Sequence, residues 1–191
     1  MSTPSPTFVL VTGNPGKLEE ARRILEAAGI AANCESIAID LPEIQSLDIG
    51  EILRVKADEA WRRIGRPVVV EETGLYLPGL NGFPGPLVKW MLEAVGPQGV
   101  ARAAAAFGDP RAEARCCLMW KDGSREIAAQ GSTHGELVLP GRGNGGFGWD
   151  PVFLPAGETR TYGELPAVEK DRLGHRGRAW RALVARLAAA D

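Results

Sequence analysis

Cysteine is scarce in this chain. Cys34, Cys116 and Cys117 are the three present in 191 residues, an odd count without a Cys-x-x-Cys pair. Histidine is scarcer, with His134 and His175 alone. That inventory argues against a disulfide framework and against a zinc centre, and it fits three reduced thiols in a reducing compartment. An excess of either charge is also missing: 22 Lys and Arg against 24 Asp and Glu leave a net charge of −2. A nucleic-acid polymer or an anionic membrane rewards a basic surface, so neither is expected as a partner. No apolar run is long enough to span a membrane, and Met1–Thr7 lacks the basic flank of a secretory signal. The expectation is a cytoplasmic protein with a short tail over residues 1–6 that has no fixed structure.

The apolar and charged fractions, 45% and 24%, are those of an ordinary globular chain, and the length suits one domain that buries a sizeable core. Phe8 to Thr12 reads as a buried strand ended by Gly13-Asn14-Pro15-Gly16. A helix is expected from about Lys17 to Ala28, with Leu18, Ala21 and Leu25 on one face, then a strand from about Cys34 to Ile39. A second helix is expected from about Ile49 to Ile64. Lys56 falls within its apolar stripe, either as a lysine that snorkels to the edge or as one aimed at an anion in a cleft. Pro67–Val70 reads as a strand that ends in Glu71-Glu72-Thr73-Gly74. A helix opened by Pro86 carries Lys89 and stops near Gly96, and another is expected from Pro97 to Phe107. Lys121-Asp122-Gly123-Ser124 is a hairpin turn between two strands, and a last helix begins near Arg176. The pattern predicts an α/β fold with a mixed central sheet flanked by helices.

Two phosphate-loop patterns fail on inspection. Gly13-Asn14-Pro15-Gly16-Lys17-Leu18 is too short for a Walker A loop and lacks its hydroxyl residue, although a strand, a tight turn and a helix start can still bind an anion. Gly141-x-Gly143-x-x-Gly146 matches a dinucleotide fingerprint by letters, but Phe147-Gly148-Trp149-Asp150-Pro151 cannot continue it as a helix. Glu43, Glu71 and Glu72 offer oxygen ligands suited to magnesium, and Lys17, Lys56 and Lys89 offer charge for phosphates. Phe147 and Trp149 supply aromatic faces, with Asp150, Lys170, His175 and Arg176 as polar neighbours.

Thr12-Gly13-Asn14…Lys17, Asp40-Leu41-Pro42-Glu43, Val70-Glu71-Glu72-Thr73, Leu80-Asn81-Gly82-Phe83-Pro84-Gly85-Pro86…Lys89-Trp90, Phe147-Gly148-Trp149-Asp150-Pro151 and Glu169-Lys170…His175-Arg176 occur in this order. Together they resemble the inosine triphosphate pyrophosphatase family from about Phe8 to the last helix. The resemblance implies an elongated two-lobed fold with a substrate cleft between the lobes, in a homodimer. It implies magnesium-dependent hydrolysis of ITP, dITP and XTP to monophosphate and pyrophosphate. Thr12, Asn14 and Lys17 would hold phosphates with Lys56 and Lys89, and Thr73 would touch substrate. Glu43, Glu71 and Glu72 would hold the metal, with Glu72 and Lys17 catalytic. Phe147 would stack on the base, in a pocket completed by Trp149, Asp150, Lys170, His175 and Arg176. The chain departs from the family pattern twice. Glu72 stands where the family usually has Asp, and Gly174 where it has Ser. A pyrophosphatase for another modified nucleotide and a non-catalytic nucleotide-binding protein are the alternatives.

Overall fold

The structure is a computed structural model that describes residues 8–29 and 34–190. The tail expected over residues 1–6 lies outside the described residues. The chain runs β1 (Phe8–Val11), α1 (Pro15–Ala27), β2 (Cys34–Ile37), α2 (Ile49–Ile64), β3 (Val68–Tyr76), β4 (Pro84–Gly85), α3 (Val88–Ala106), β5 (Arg111–Asp122), β6 (Arg125–Leu137), β7 (Phe153–Pro155), α4 (Ala167–Leu173) and α5 (His175–Ala190). The strands form one mixed sheet ordered β2-β1-β3-β5-β6-β7, with β4 paired to β3. β1 is parallel to β2 and β3, and the remaining pairs are antiparallel.

Alternation along the strands sorts the core onto two faces. Phe8, Leu10, Val69, Cys116 and Leu118 pack with Trp180 and Leu183 of α5 and with Ala21 and Leu25 of α1. Val9, Val11, Val68, Val70, Cys117 and Met119 pack with Leu53, Ala57 and Ala60 of α2. The adjacent cysteines therefore belong to different cores, as strand geometry requires. Further along the first face, Leu75, Leu77, Ala112 and Ala114 pack with Val100, Ala101 and Ala104 of α3 and with Trp149, Val152 and Phe153.

Local chemistry fixes the helix ends. Asp48 caps α2 by accepting from the Gly50 and Glu51 N–H groups, and Gly65 closes it at φ 67°. Gly96, at φ 66° and ψ 174°, is non-helical and breaks α3 just before Pro97, so the run is a pair of helices that meet at the expected point. α3 begins at Val88 rather than at Pro86. α4, β4 and β7 are additional to the expected elements. α5 lies so close to β6 that a Cβ on Gly131 would sit 2.3 Å from the His175 carbonyl oxygen and 2.4 Å from the Ala179 nitrogen.

The largest departure from expectation is β3. It does not end at Glu71 but continues to Tyr76, because β5 pairs with it along its whole length. On its other side β1 pairs as far as Val70, and β4 begins at Leu75. Among the described residues no strand pairs with Glu71–Gly74 on that side. The sheet has a notch there.

Candidate active site

A cavity of about 1000 Å³ opens at this notch. The turn after β1 supplies Thr12 and Asn14, the first turn of α1 supplies Lys17, and β3 supplies Glu71, Glu72 and Thr73. The segment between β2 and α2 supplies Glu43, and the helices supply Lys56 and Lys89. Phe147, Trp149, Asp150 and His175 complete the wall among the residues expected at the site.

Glu43 and Glu72 converge on one cation. The Lys56 Nζ donates to Glu72 Oε2 at 2.8 Å and to Glu43 Oε1 at 3.1 Å. Lys89 Nζ lies 3.6 Å from the second Glu43 oxygen. Glu43 occupies a stretch without helix or strand, and its side chain is 46% exposed, whereas Glu72 is held in mid-strand at 15%. Burial pushes the Glu43 carboxyl up, but Lys56 and Lys89 outweigh it and leave it below the ordinary carboxylate range. Burial disfavours the Lys56 charge, and Glu72 and Glu43 more than restore it.

Glu71 faces the other way. Its two oxygens accept from Arg176 Nε at 3.1 Å each, Oε1 also accepts from Nη2 at 3.0 Å, and Lys17 Nζ is 3.3 Å away. Burial raises this carboxyl, while Arg176 and Lys17 hold it down at about 2. Glu71 was expected to join Glu43 and Glu72 around one metal, and here it does not converge on their shared cation. Consecutive strand residues point to opposite faces, and Glu71 is spent on Arg176.

Lys170 and Arg176 were expected in the base pocket, but they lie behind the wall of the cavity. Lys170 Nζ donates to Asp150 Oδ2 at 2.6 Å and to Glu20 Oε1 at 2.8 Å. Arg176 Nη1 bonds the other Glu20 oxygen. Both cations lie near the Phe147 ring, Lys170 Nζ at 4.9 Å from its centroid and Arg176 Cζ at 5.3 Å. The backbone N–H of Phe147 donates to Asp150 at 2.7 Å, which fixes the loop that carries the ring. Burial raises the Asp150 carboxyl even though Lys170 opposes the shift. His175 is buried beside both cations, and burial, Arg176 and Lys170 push it well below the ordinary range, so its imidazole is neutral. Its ring lies 6.0 Å from those of Trp149 and Tyr162.

Glu20 is the member that sequence reasoning missed. It is 6% exposed beside Ala21 in α1, and its partners lie 150 and 156 positions away. An acid next to the buried stripe of a helix was the available signal. The turn after β1 also differs from expectation. Asn14 caps α1, its Oδ1 accepting from Gly16 N at 2.9 Å and Lys17 N at 3.4 Å, and Thr12 Oγ1 accepts from Asn14 N at 3.1 Å. These backbone donors already have partners, so an anion here would meet the Lys17 ammonium and the Asn14 amide nitrogen instead.

A mixed α/β sheet with a notch holding paired glutamates, several lysines and an aromatic ring defines a protein built to receive a small, highly charged ligand. The chain belongs to the Ham1 family, which it matches over residues 8–186. It is 37% identical over 178 residues to a protein of Puccinia graminis f. sp. tritici named inosine triphosphate pyrophosphatase, covering 90% of this chain and 92% of the relative. A Ham1 protein from Coxiella burnetii has the same fold, with a TM-score of 0.83 and 26% identity over 96% of this chain and 98% of its own. A structure from Mycobacterium abscessus described as a nucleoside-triphosphatase, dITP/XTP pyrophosphatase, aligns with a TM-score of 0.70 and 27% identity, over 93% and 98% of the two chains.

Proposed function

We propose that this protein hydrolyses ITP, dITP and XTP to the monophosphate and pyrophosphate with magnesium, and so clears non-standard purines from the nucleotide pool. The observation that carries the reading is the meeting of Glu43 and Glu72 on one cation in a cavity with Lys17 and Lys89. Magnesium takes one or two carboxylates and fills its remaining positions with water and phosphate oxygen. The two carboxylates, both within hydrogen-bond reach of one cation, fit that ligand set. Glu43 and Glu72 would hold the ion, which when bound neutralises phosphate charge and polarises phosphorus toward attack.

The chain's own groups perform the rest. Glu72, on the sheet, accepts a proton from the attacking water. Lys17, Lys56 and Lys89 offset charge on the departing pyrophosphate, and Asn14, Thr12 and Thr73 orient the phosphates. Phe147 stacks on the purine, with Lys170 and Arg176 beneath the ring. The neutral His175 imidazole offers a hydrogen-bond donor to a 6-oxo group, which adenine's amino group cannot use. Trp149 and Asp150 support the loop. We further propose a cytoplasmic homodimer of single-domain chains, two-lobed, with this cavity as the cleft between the lobes.

The test is to incubate the protein and Mg²⁺ with ITP, XTP, dITP, GTP, ATP and dTTP and measure both products. Rapid IMP and XMP formation with little from ATP or GTP is expected. Binding without turnover of any of them would replace this reading with that of a nucleotide-binding protein.

A further inference from the structure

Lys56 occupies an unusual place for a phosphate-binding lysine. It lines the cavity, yet its ammonium is taken up by the two carboxylates that would hold a divalent ion, at 2.8 Å from Glu72 and 3.1 Å from Glu43. Its side chain is only 12% exposed, so it is not an ammonium waving in solvent. Glu43 is shared with Lys89 at 3.6 Å. We infer that Lys56 is a placeholder cation: it fills the metal position in the free protein and is exchanged when a metal–triphosphate complex enters. This rests on the function proposed above.

The electrostatics give the exchange its direction. Two bare carboxylates facing one point would repel each other and an incoming polyphosphate. A resident ammonium removes that repulsion at no cost in foreign ions. A divalent ion already bound to phosphate oxygens brings twice the charge to the same point, and the displaced ammonium gains the phosphates as new partners. The long flexible lysine stem permits the move without shifting α2. Two consequences follow. The free protein holds divalent metal weakly, and metal and nucleotide arrive together. Lys56 thus sets the binding order and does not serve merely as one more positive charge.

The full-length protein can be titrated with Mn²⁺ and no nucleotide, following loss of the free Mn²⁺ EPR signal. Lys56→Met and Lys56→Gln are both expected to bind Mn²⁺ at least about tenfold more tightly than wild type, about 1.4 kcal/mol. Adding Glu72→Gln to either variant should remove the gain. Equal Mn²⁺ affinity in wild type and the two variants would overturn the inference, as would a gain that survives Glu72→Gln. So would wild type that binds one Mn²⁺ tightly by itself and loses it with Glu72→Gln, an outcome readable even if the Lys56 variants do not fold. Pyrophosphate release from ITP by wild type is assayed separately. Release without the Mn²⁺ gain sinks the placeholder and keeps the enzyme. The gain without release from any nucleotide keeps the placeholder and sinks the enzyme.

Discussion

Glu71 and Glu72 are neighbours in β3, yet their carboxylates are committed to different partners on opposite faces of the sheet, Arg176 for one and Lys56 for the other. On the proposed reading, one residue serves stability and the other serves chemistry. Glu72→Gln should lower kcat for ITP by about a hundredfold or more, the usual loss when a proton acceptor is removed, with little change in thermal midpoint. Glu71→Gln should do the reverse in the first instance. It weakens a buried ion pair and should cost about 3 kcal/mol, lowering Tm by about 10 °C. Steady-state kinetics and thermal melts on the two variants, run side by side, test the division.

The same buried pair predicts an acid limit. Glu71 titrates at about 2 in the fold against 4.5 for a free glutamate. A depressed carboxylate stabilises the fold above the unfolded value, and that contribution is lost as pH falls through the folded one. The window is therefore about pH 4.5 down to about 2, and the amount is about 3 kcal/mol. Asp150, raised by burial, runs in the opposite sense. Denaturant midpoints measured from pH 6 to pH 3 should fall steeply in wild type and much less in Glu71→Gln.

Much of this was legible in the sequence, and the reasons are specific. α2 was readable from Ile49 to Ile64 because its apolar stripe has the helical period; the Asp48 and Gly65 caps emerge from the structure. β1 was readable because a strand buried on both faces is a continuous apolar run. The fate of Glu71-Glu72-Thr73-Gly74 was not, because two acids followed by Thr-Gly look like a turn. Pairing with β5, some 45 positions away, makes them a strand. The alternation rule that separates Cys116 from Cys117 separates these glutamates as well, once the strand is known to continue. The Glu20–Lys170 and Glu20–Arg176 contacts were out of reach because they join the first helix to the last two.

Phe147 is 37% exposed, and the two buried cations lie over its ring. Phe147→Ala should therefore leave Tm almost unchanged and weaken nucleotide binding by about tenfold or more, the worth of one base stacked on an aromatic ring. The effect belongs in KM for ITP rather than in kcat. Equal KM values in the two proteins would remove Phe147 from base recognition.

Gly131 is the point where α5 rests on β6. A methyl group there would meet the α5 backbone at two points, and backbone cannot yield as a side chain can. Gly131→Ala should destabilise the fold by about 3 kcal/mol through overpacking. It should also displace His175 and Arg176, which lead α5, so activity in the surviving folded fraction should fall too. Activity per folded molecule, from matched melts and assays, separates the two effects.

The two acids of the proposed metal site differ in backbone support. Glu72 is fixed by hydrogen-bonded strands, while Glu43 rides on a stretch with neither helix nor strand and stands half in solvent. One jaw of the site is an anvil and the other a finger. On the proposed reading, adjusting the grip to ligands of different size falls to the residues around Pro42 rather than to the sheet. Kinetic differences among relatives with the same sheet should then trace to the length and stiffness of that finger.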